Sequence, residues 1–324
     1  MTKAIRIHKQ GGPEVLKWED VSVGAPKEGQ VRVKQTAVGL NFIDVYHRSG
    51  LYPLKDLPMT IGMEAAGVIQ EVGPGVKGFK KGDRVAYTMG LGAYAEERVM
   101  GTERLVPLPD GIDEKMAASM MLKGTTAHYL LHWTYKVKKG DTILVYAAAG
   151  GVGLILCQWA KHLGATVIGC VGSEEKAKLA KANGCDHPIL YRTEKVPERV
   201  KELTGGKGVP VVYDSVGKAS FNDSLDSLAP LGLLASFGNS SGPVDPINIA
   251  MLGPKGSLYV TRQTLATHSR TRELMMEGAN ALFDVVKKGV VKIAINQSYP
   301  LKDTAQAHRD LEGRKTTGST VLLP

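Results

Sequence analysis

The stretch from Thr142 to Gly153 reads TILVYAAAGGVG, and the fold turns on how it is read. A short apolar run, Ile143 to Tyr146, meets small residues and then glycines. The segment LILCQWAKHLG follows at helical spacing. Strand, tight turn and helix start in that order open a dinucleotide-binding βαβ unit. A pyrophosphate must approach bare backbone there, so side chains at the turn are minimal. The helix N-terminus then offers N–H groups and a positive dipole end to the phosphates. The fingerprint is Ala148, Gly150, Gly153, with Gly151 and Val152 inside it and alanine in place of the usual first glycine. A glycine-rich turn in some other α/β protein is the competing reading. The strand before, the helix after and a second strand, Thr166 to Val171, argue against it.

Outward from this turn the pattern repeats. Helices at Val152 to Leu163, Glu174 to Asn183, Val196 to Thr204 and Ala219 to Leu228 alternate with strands at His187 to Leu190, Val211 to Asp214 and Leu233 to Phe237. Gly184 and Gly205 close two of these helices. Such alternation predicts a doubly wound parallel sheet. Residues before about 120 read differently. Short strands at Ile5 to Ile7, Gln30 to Val38, Gly67 to Val72 and Arg84 to Tyr87 are punctuated by glycine and proline turns. They suggest a partly closed β-barrel. A short helix from Asn41 to Ser49 interrupts them, with Asn41 as its cap. Helices are also expected from Asp113 to Met121 and from Gly124 to Trp133. Near the end, Thr271 to Lys288 and Leu301 to Glu312 read as helices, and Thr320 to Leu323 as a strand. These late segments lack a sheet of their own. The economical solution is a nucleotide-binding domain, 123–265, inserted into a discontinuous β-rich domain, 1–122 and 266–324, with the binding cleft between them.

Composition bounds the function. The 324 residues, 43% hydrophobic and 23% charged, suit two globular domains. No apolar run approaches the about 20 residues of a membrane span, and MTKAIRIHKQ lacks the apolar core of a signal peptide. A cytoplasmic protein is expected. The net charge of +9 falls in small groups such as Lys136, Lys138 and Lys139 and not in one basic run. Nucleic acid is therefore not an expected partner. Cys157, Cys170 and Cys185 are scattered and read as reduced core thiols. His128 and His132 have metal-pair spacing but no evident third ligand, and packing is the preferred reading.

An NAD site places an acid at the tip of the second strand for the ribose hydroxyls. Here the strand ends Val171-Gly172-Ser173, with no acid. Lys176 follows in the next helix, and Tyr191 and Arg192 end the third strand. Cations and hydroxyls around one edge suit a 2′-phosphate, so NADPH is the expected cofactor. Glu174 and Glu175 read as favourable charges at a helix start.

Together with VGLNFIDVYHRSGLYP at 38–53, GMEAAGVIQEVGPGV at 62–76, GDRVAY at 82–87, LKGTTAHYLL at 122–131, AAAGGVG at 147–153, VYDSVG at 212–217 and SFGNSSG at 236–242, these motifs carry a resemblance. The whole chain resembles the medium-chain dehydrogenase/reductase superfamily, and within it the zinc-independent, zeta-crystallin-like NADPH:quinone oxidoreductases. The resemblance implies a GroES-like first domain, and hydride transfer from NADPH to a quinone. Zinc-dependent members carry a cysteine near the position of Asn41 and a histidine before the glutamate of a GHE motif. Asn41 and Met63 supply neither thiolate nor imidazole, so no metal is expected. By the same resemblance, Asn41, Tyr46 and Tyr52 are the candidate catalytic residues. Tyr46 and Tyr52 match the quinone pocket, where Tyr46 would hydrogen-bond a quinone oxygen or donate a proton. Cofactor contacts map onto Asn41, Phe42, Ile43, Asp44, Val45, Tyr129, the 148–153 turn, Gly172, Ser173, Lys176, Tyr191, Phe237, Gly238, Asn239 and Ser240. Arg262 and Arg314 are candidates for the phosphates. An apolar edge strand near Leu258 to Thr261 suggests a homodimer. Two alternatives stand beside the quinone reductase: an alkene reductase acting on enones, and a cofactor-binding protein without turnover, crystallin-like or RNA-binding.

Overall fold

The computed structural model describes residues 1–324, which fall into two compact units. One comprises Met1–Lys123, Ser269–Lys287 and Ile293–Pro324; the other comprises Gly124–His268 and Lys288–Lys292.

The first unit begins with β1 (Thr2–Ile7), β2 (Lys17–Val21) and β3 (Gln30–Leu40), followed by α1 (Phe42–Ser49) and β4 (Met59–Thr60). Then come β5 (Glu64–Val72), β6 (Arg84–Thr88), β7 (Glu97–Gly101) and β8 (Leu105–Pro107). Burial along β3 alternates at Val31 and Val33, as a half-covered strand requires, and becomes continuous from Ala37 to Leu40. Register shifts against β5 near Val33 and Ala37 accompany that change. Val31, Val33, Val38, Ile69, Val85 and Leu105 form the core of this unit with Ile5, Ile7 and Leu322. Each such side chain contributes roughly 1.5–3 kcal/mol on burial.

Helix α2 (Glu114–Tyr129) replaces the two helices expected at 113–121 and 124–133. Asp113 does cap it, accepting the Met116 N–H at 2.6 Å. The helix continues through Gly124, whose propensity cost is outweighed by the burial of neighbours such as Met121 and Ala127. A π-turn at Leu130–Thr134 ends it.

In the second unit β9 (Thr142–Tyr146), α3 (Gly151–His162), β10 (Thr166–Val171), α4 (Glu174–Ala182), β11 (His187–Leu190), α5 (Val196–Leu203), β12 (Val209–Asp214), α6 (Phe221–Asp226), β13 (Leu228–Ser236) and β14 (Tyr259–Arg262) alternate. The six strands form one sheet in the order β11-β10-β9-β12-β13-β14, parallel throughout. This is the doubly wound Rossmann order, reversing direction between β9 and β12. Ile143, Leu144 and Val145 are wholly buried in succession, as a central parallel strand covered on both sides must be. The three cysteines are free and buried.

The short α7 (Leu265–His268) closes this run. The chain then adds α8 (Arg272–Lys287), β15 (Ile295–Pro300), α9 (Thr304–Glu312) and β16 (Ser319–Leu323) to the first unit. There β16 pairs with β3, and β15 extends the edge in parallel with β16. The sequence pattern misses β15 because its middle, Asn296 to Ser298, is polar and the strand alternates only between half-buried and exposed. Leu301–Asp303 is a 3₁₀ turn, so the last helix begins at Thr304.

Candidate active site

Parallel strands place all their C-terminal ends on one edge of a sheet, where ligands of open α/β folds bind. In the second unit that edge carries the small-residue turn after β9. Ala147 takes a left-handed backbone, φ 54°, and its carbonyl accepts the Gly150 N–H at 2.9 Å. The Ala148 N–H reaches across to the Cys170 carbonyl at 3.1 Å. Gly150 is the N-cap of α3 and makes no side-chain cap, so the first N–H groups of the helix keep their capacity for an anion. A Cβ at Gly153 would lie 2.3 Å from the Ala147 carbonyl oxygen, so this glycine lets helix and turn meet. A cradle lined by backbone donors fits a dinucleotide pyrophosphate.

The other expected residues of this unit, Tyr129 apart, lie at or just after the C-terminal ends of its strands. Gly172 and Ser173 follow β10, and Ser173 caps α4 by accepting the Lys176 N–H at 3.4 Å. The Tyr191 hydroxyl closes over Gly172, 2.7 Å from where a Cβ would stand. Phe237 to Ser240 follow β13, tied back by Phe237 N–H to the Asp214 carbonyl at 2.8 Å and Ser240 N–H to the Ser215 carbonyl at 3.2 Å. Arg262 ends β14 and donates to the Ser236 and Gln263 carbonyls, so part of its donor fork is already engaged. Tyr129 is buried at the end of α2 and stacks on His268 with 4.3 Å between rings. The sequence reading missed Asp214. Its Oδ1 accepts the Val216 and Gly217 N–H groups and its Oδ2 the Ser220 and Ser224 hydroxyls, fixing the loop after β12.

In the first unit the site residues centre on α1. Asn41 is its N-cap, and Asp44 completes a capping box by accepting the Asn41 N–H at 2.9 Å. The Asn41 amide nitrogen does not serve the helix; it donates to Glu64 at 2.8 Å. Tyr46 and Tyr52 meet edge to face with rings 5.2 Å apart, and Phe42 packs 6.0 Å from Tyr46. Arg314 lies in the turn after α9, with φ 57°.

Beneath α1 runs a buried polar chain that local patterns did not indicate. Arg48 pairs in bidentate fashion with Glu312 at 2.7 and 2.8 Å, and its Nη1 lies 3.2 Å from His308 Nδ1. His308 Nε2 lies 3.0 Å from the Tyr94 hydroxyl, which donates to Asp44 Oδ2 at 2.8 Å. Since guanidinium only donates, Nδ1 must accept and Nε2 carries the proton of a neutral imidazole. Burial, with the Arg48 charge second, pushes His308 down to about 3. Burial raises Asp44 to about 7 against the opposing hydrogen bonds from Asn41 and Tyr94. Its Oδ1 is buried without a hydrogen-bond partner.

The second unit's histidines pack with aromatic neighbours. His128 lies 4.9 Å from His132 and 4.8 Å from Trp133, and burial pushes it down to about 4. No group of three or more His, Cys, Asp or Glu side chains is placed to hold a metal ion. Where zinc-dependent relatives are expected to bind metal, Asn41 donates to Glu64 and the Lys123 ammonium stands 3.2 Å from the same carboxylate oxygen. These donors do not fit a cation.

Residues 27–110 match the alcohol dehydrogenase GroES-like domain, and residues 151–281 the zinc-binding dehydrogenase domain. A quinone oxidoreductase of Pseudomonas aeruginosa is 54% identical over 325 residues, with both chains covered completely. The chain belongs to the quinone oxidoreductase family. A crystal structure of the Escherichia coli quinone oxidoreductase complexed with NADPH superposes with a TM-score of 0.98 at 49% identity, covering 99% of this chain and all of that one. The family includes a second named activity: a Burkholderia 2-haloacrylate reductase is 50% identical over 331 residues, covering all of this chain and 99% of that one.

Proposed function

We propose that this protein is an NADPH-dependent quinone oxidoreductase that works without zinc. The observation that carries the reading is the backbone cradle at Ala147–Gly153, beside a second strand whose tip holds Ser173 and Lys176 in place of an acid. NADPH, when bound, supplies the hydride. The chain's residues bind and orient. Ala148, Gly150, Gly151, Val152 and Gly153 hold the pyrophosphate on the α3 N-terminus. Gly172, Ser173, Lys176 and Tyr191 receive the adenosine ribose and its 2′-phosphate. Tyr129, Phe237, Gly238, Asn239, Ser240 and Arg262 complete the contacts of that unit. From the first unit, Asn41, Phe42, Ile43, Asp44 and Val45 serve the nicotinamide end, and Arg314 a phosphate. Tyr46 and Tyr52 line the quinone pocket, where the Tyr46 hydroxyl bonds a quinone oxygen or gives it a proton.

A second reading has specific support in the haloacrylate-reducing relative: the same hydride reaches the β-carbon of an activated alkene. Loss of reduced-nicotinamide absorbance with a simple quinone, an enone and a haloacrylate, on chelator-treated protein, separates the readings. Fast quinone turnover with NADPH supports the first, preference for an alkene the second. Binding without turnover by any acceptor would leave a cofactor-binding protein.

The partner we propose is a second copy of this chain. β14 is the edge strand of the parallel sheet, and Tyr259 and Val260 are exposed on it. Sedimentation showing only monomer at working concentration would remove this proposal. A cytoplasmic location accords with the absence of any helix long and apolar enough to cross a membrane.

A further inference from the structure

Glu64 is wholly buried at the start of β5, and nothing in the reaction above uses it. Its Oε1 accepts the Leu122 N–H at 2.7 Å. Its Oε2 accepts the Asn41 Nδ2–H at 2.8 Å and the Lys123 ammonium at 3.2 Å. The Lys123 side chain is itself only 7% exposed. The carboxylate fits because residue 39 is glycine: a Cβ there would stand 2.3 Å from Glu64 Oε2 and 2.2 Å from the Ala118 carbonyl oxygen.

A primary amide has one donor end and one acceptor end. With Nδ2 held by Glu64, the Asn41 Oδ1 takes the other side, toward the capping box and the Asp44 N–H. Half a turn of the amide would set Oδ1 against Glu64 Oε2, acceptor facing acceptor inside the protein, an arrangement with no compensating solvent. A carbonyl oxygen has two lone pairs, so Oδ1 can serve the helix start and still receive one further donor.

We infer that the Glu64–Lys123 pair is a positioning device for Asn41, holding its amide so that Oδ1 is presented as an acceptor to a hydroxyl of the nicotinamide ribose. The inference rests on the NADPH reading above. Lys123 makes the arrangement one-way. With two donors already on Oε2 and one on Oε1, a glutamine at 64 would aim its NH₂ either at the Leu122 N–H or at both Asn41 Nδ2 and Lys123 Nζ. The first choice keeps an oxygen on Asn41 Nδ2, and the Lys123 cation favours it, so only a side chain without an acceptor at 64 releases the Asn41 amide.

The test is equilibrium binding by tryptophan fluorescence with two probes: NADPH, and adenosine 2′,5′-bisphosphate, which lacks the nicotinamide half. Glu64→Leu/Lys123→Met, which removes the acceptor and its buried cation together, should weaken NADPH about tenfold, the cost of one lost buried hydrogen bond, and leave the bisphosphate within about twofold. In an Asn41→Ala background the same double change should have no further effect on NADPH, because the pair acts through Asn41. Glu64→Gln, whose oxygen still accepts the Asn41 Nδ2–H when its NH₂ turns to Leu122, should keep NADPH within about twofold of wild type. Unchanged NADPH affinity in the double variant, a tenfold loss in Glu64→Gln, equal weakening of both probes, or an additive effect in the Asn41→Ala background would overturn the inference. Wild-type protein that does not bind NADPH would overturn the underlying reading, and the positioning role with it.

Discussion

The turn after β9 and the interior beneath α1 solve the problem of a polar site in opposite ways. The turn is made of backbone. From Ala147 to Gly153 no side chain is larger than valine, and the polar groups are N–H donors at a helix start. The α1 region is made of side chains. Asp44, Arg48, Glu64, Lys123 and His308 are all buried, and each is held by partners from other elements. A backbone site tolerates no added atoms but is indifferent to pH. A side-chain site tolerates isosteric change but carries titrating groups whose balance moves with pH. The two regions should therefore fail under different insults.

The sharpest separation comes from Gly153. A Cβ there meets the Ala147 carbonyl at 2.3 Å and Ala148 backbone carbons at 2.8 Å, and backbone cannot step aside as a flexible side chain does. Gly153→Val should abolish measurable NADPH binding and cost about 1–3 kcal/mol of stability by overpacking. Calorimetric titration and denaturant unfolding measure both. Retained binding would show that the turn does not hold the pyrophosphate.

Asp44 tests the other half of the contrast. Its carboxyl is raised from 3.8 to about 7, so between those values the folded chain keeps a proton that the unfolded chain has lost. The Asp44 contribution is therefore full at low pH, declines as pH rises through this window, and is flat above it. His308 and His128, lowered to about 3 and about 4, work in the opposite sense: the unfolded chain takes up protons below 6.5 that the folded chain refuses. These slopes partly cancel in the whole protein, so the difference between variant and wild type is the informative quantity. For Asp44→Asn, that difference should move in favour of the variant by a few kcal/mol from about pH 4 to about pH 8. An amide nitrogen in place of the unpartnered Oδ1 adds an offset that does not vary with pH. Urea midpoints across the range read the slope, and a flat difference would show that Asp44 is ionised throughout.

The same contrast explains what could be read from the chain. The alternation of strand and helix from Thr142 onward, the small-residue turn and the missing acid after Val171 are local patterns, and local patterns survive in sequence. The family resemblance reached Asn41 and Asp44 as positions without showing what holds them. Asn41 meets a partner 23 residues away, Asp44 one 50 away, Tyr94 one 214 away and Arg48 one 264 away. No periodicity records such pairings. The helix division expected near Gly124 failed for a related reason: tertiary burial decided a question that propensity alone answers the other way.

The smallest expected effect lies where backbone and side chain share a task, at the start of α4. Ser173 shapes the turn by capping, and Lys176 supplies a charge from a half-buried position. A partly solvated lysine opposite a phosphate is worth much less than a buried pair, because water and salt screen it. Lys176→Ala should weaken NADPH about tenfold at low salt and leave NADH unchanged, a difference of about 1.4 kcal/mol. The gap should narrow as ionic strength rises, since a screened charge has less left to lose. Parallel titrations of the two cofactors at two salt concentrations measure both trends. If the NADPH to NADH ratio does not move, the 2′-phosphate is recognised by neutral donors, such as the Tyr191 hydroxyl over Gly172. The side-chain contribution on this edge of the sheet would then be one of shape, and the contrast between the two regions would be sharper still.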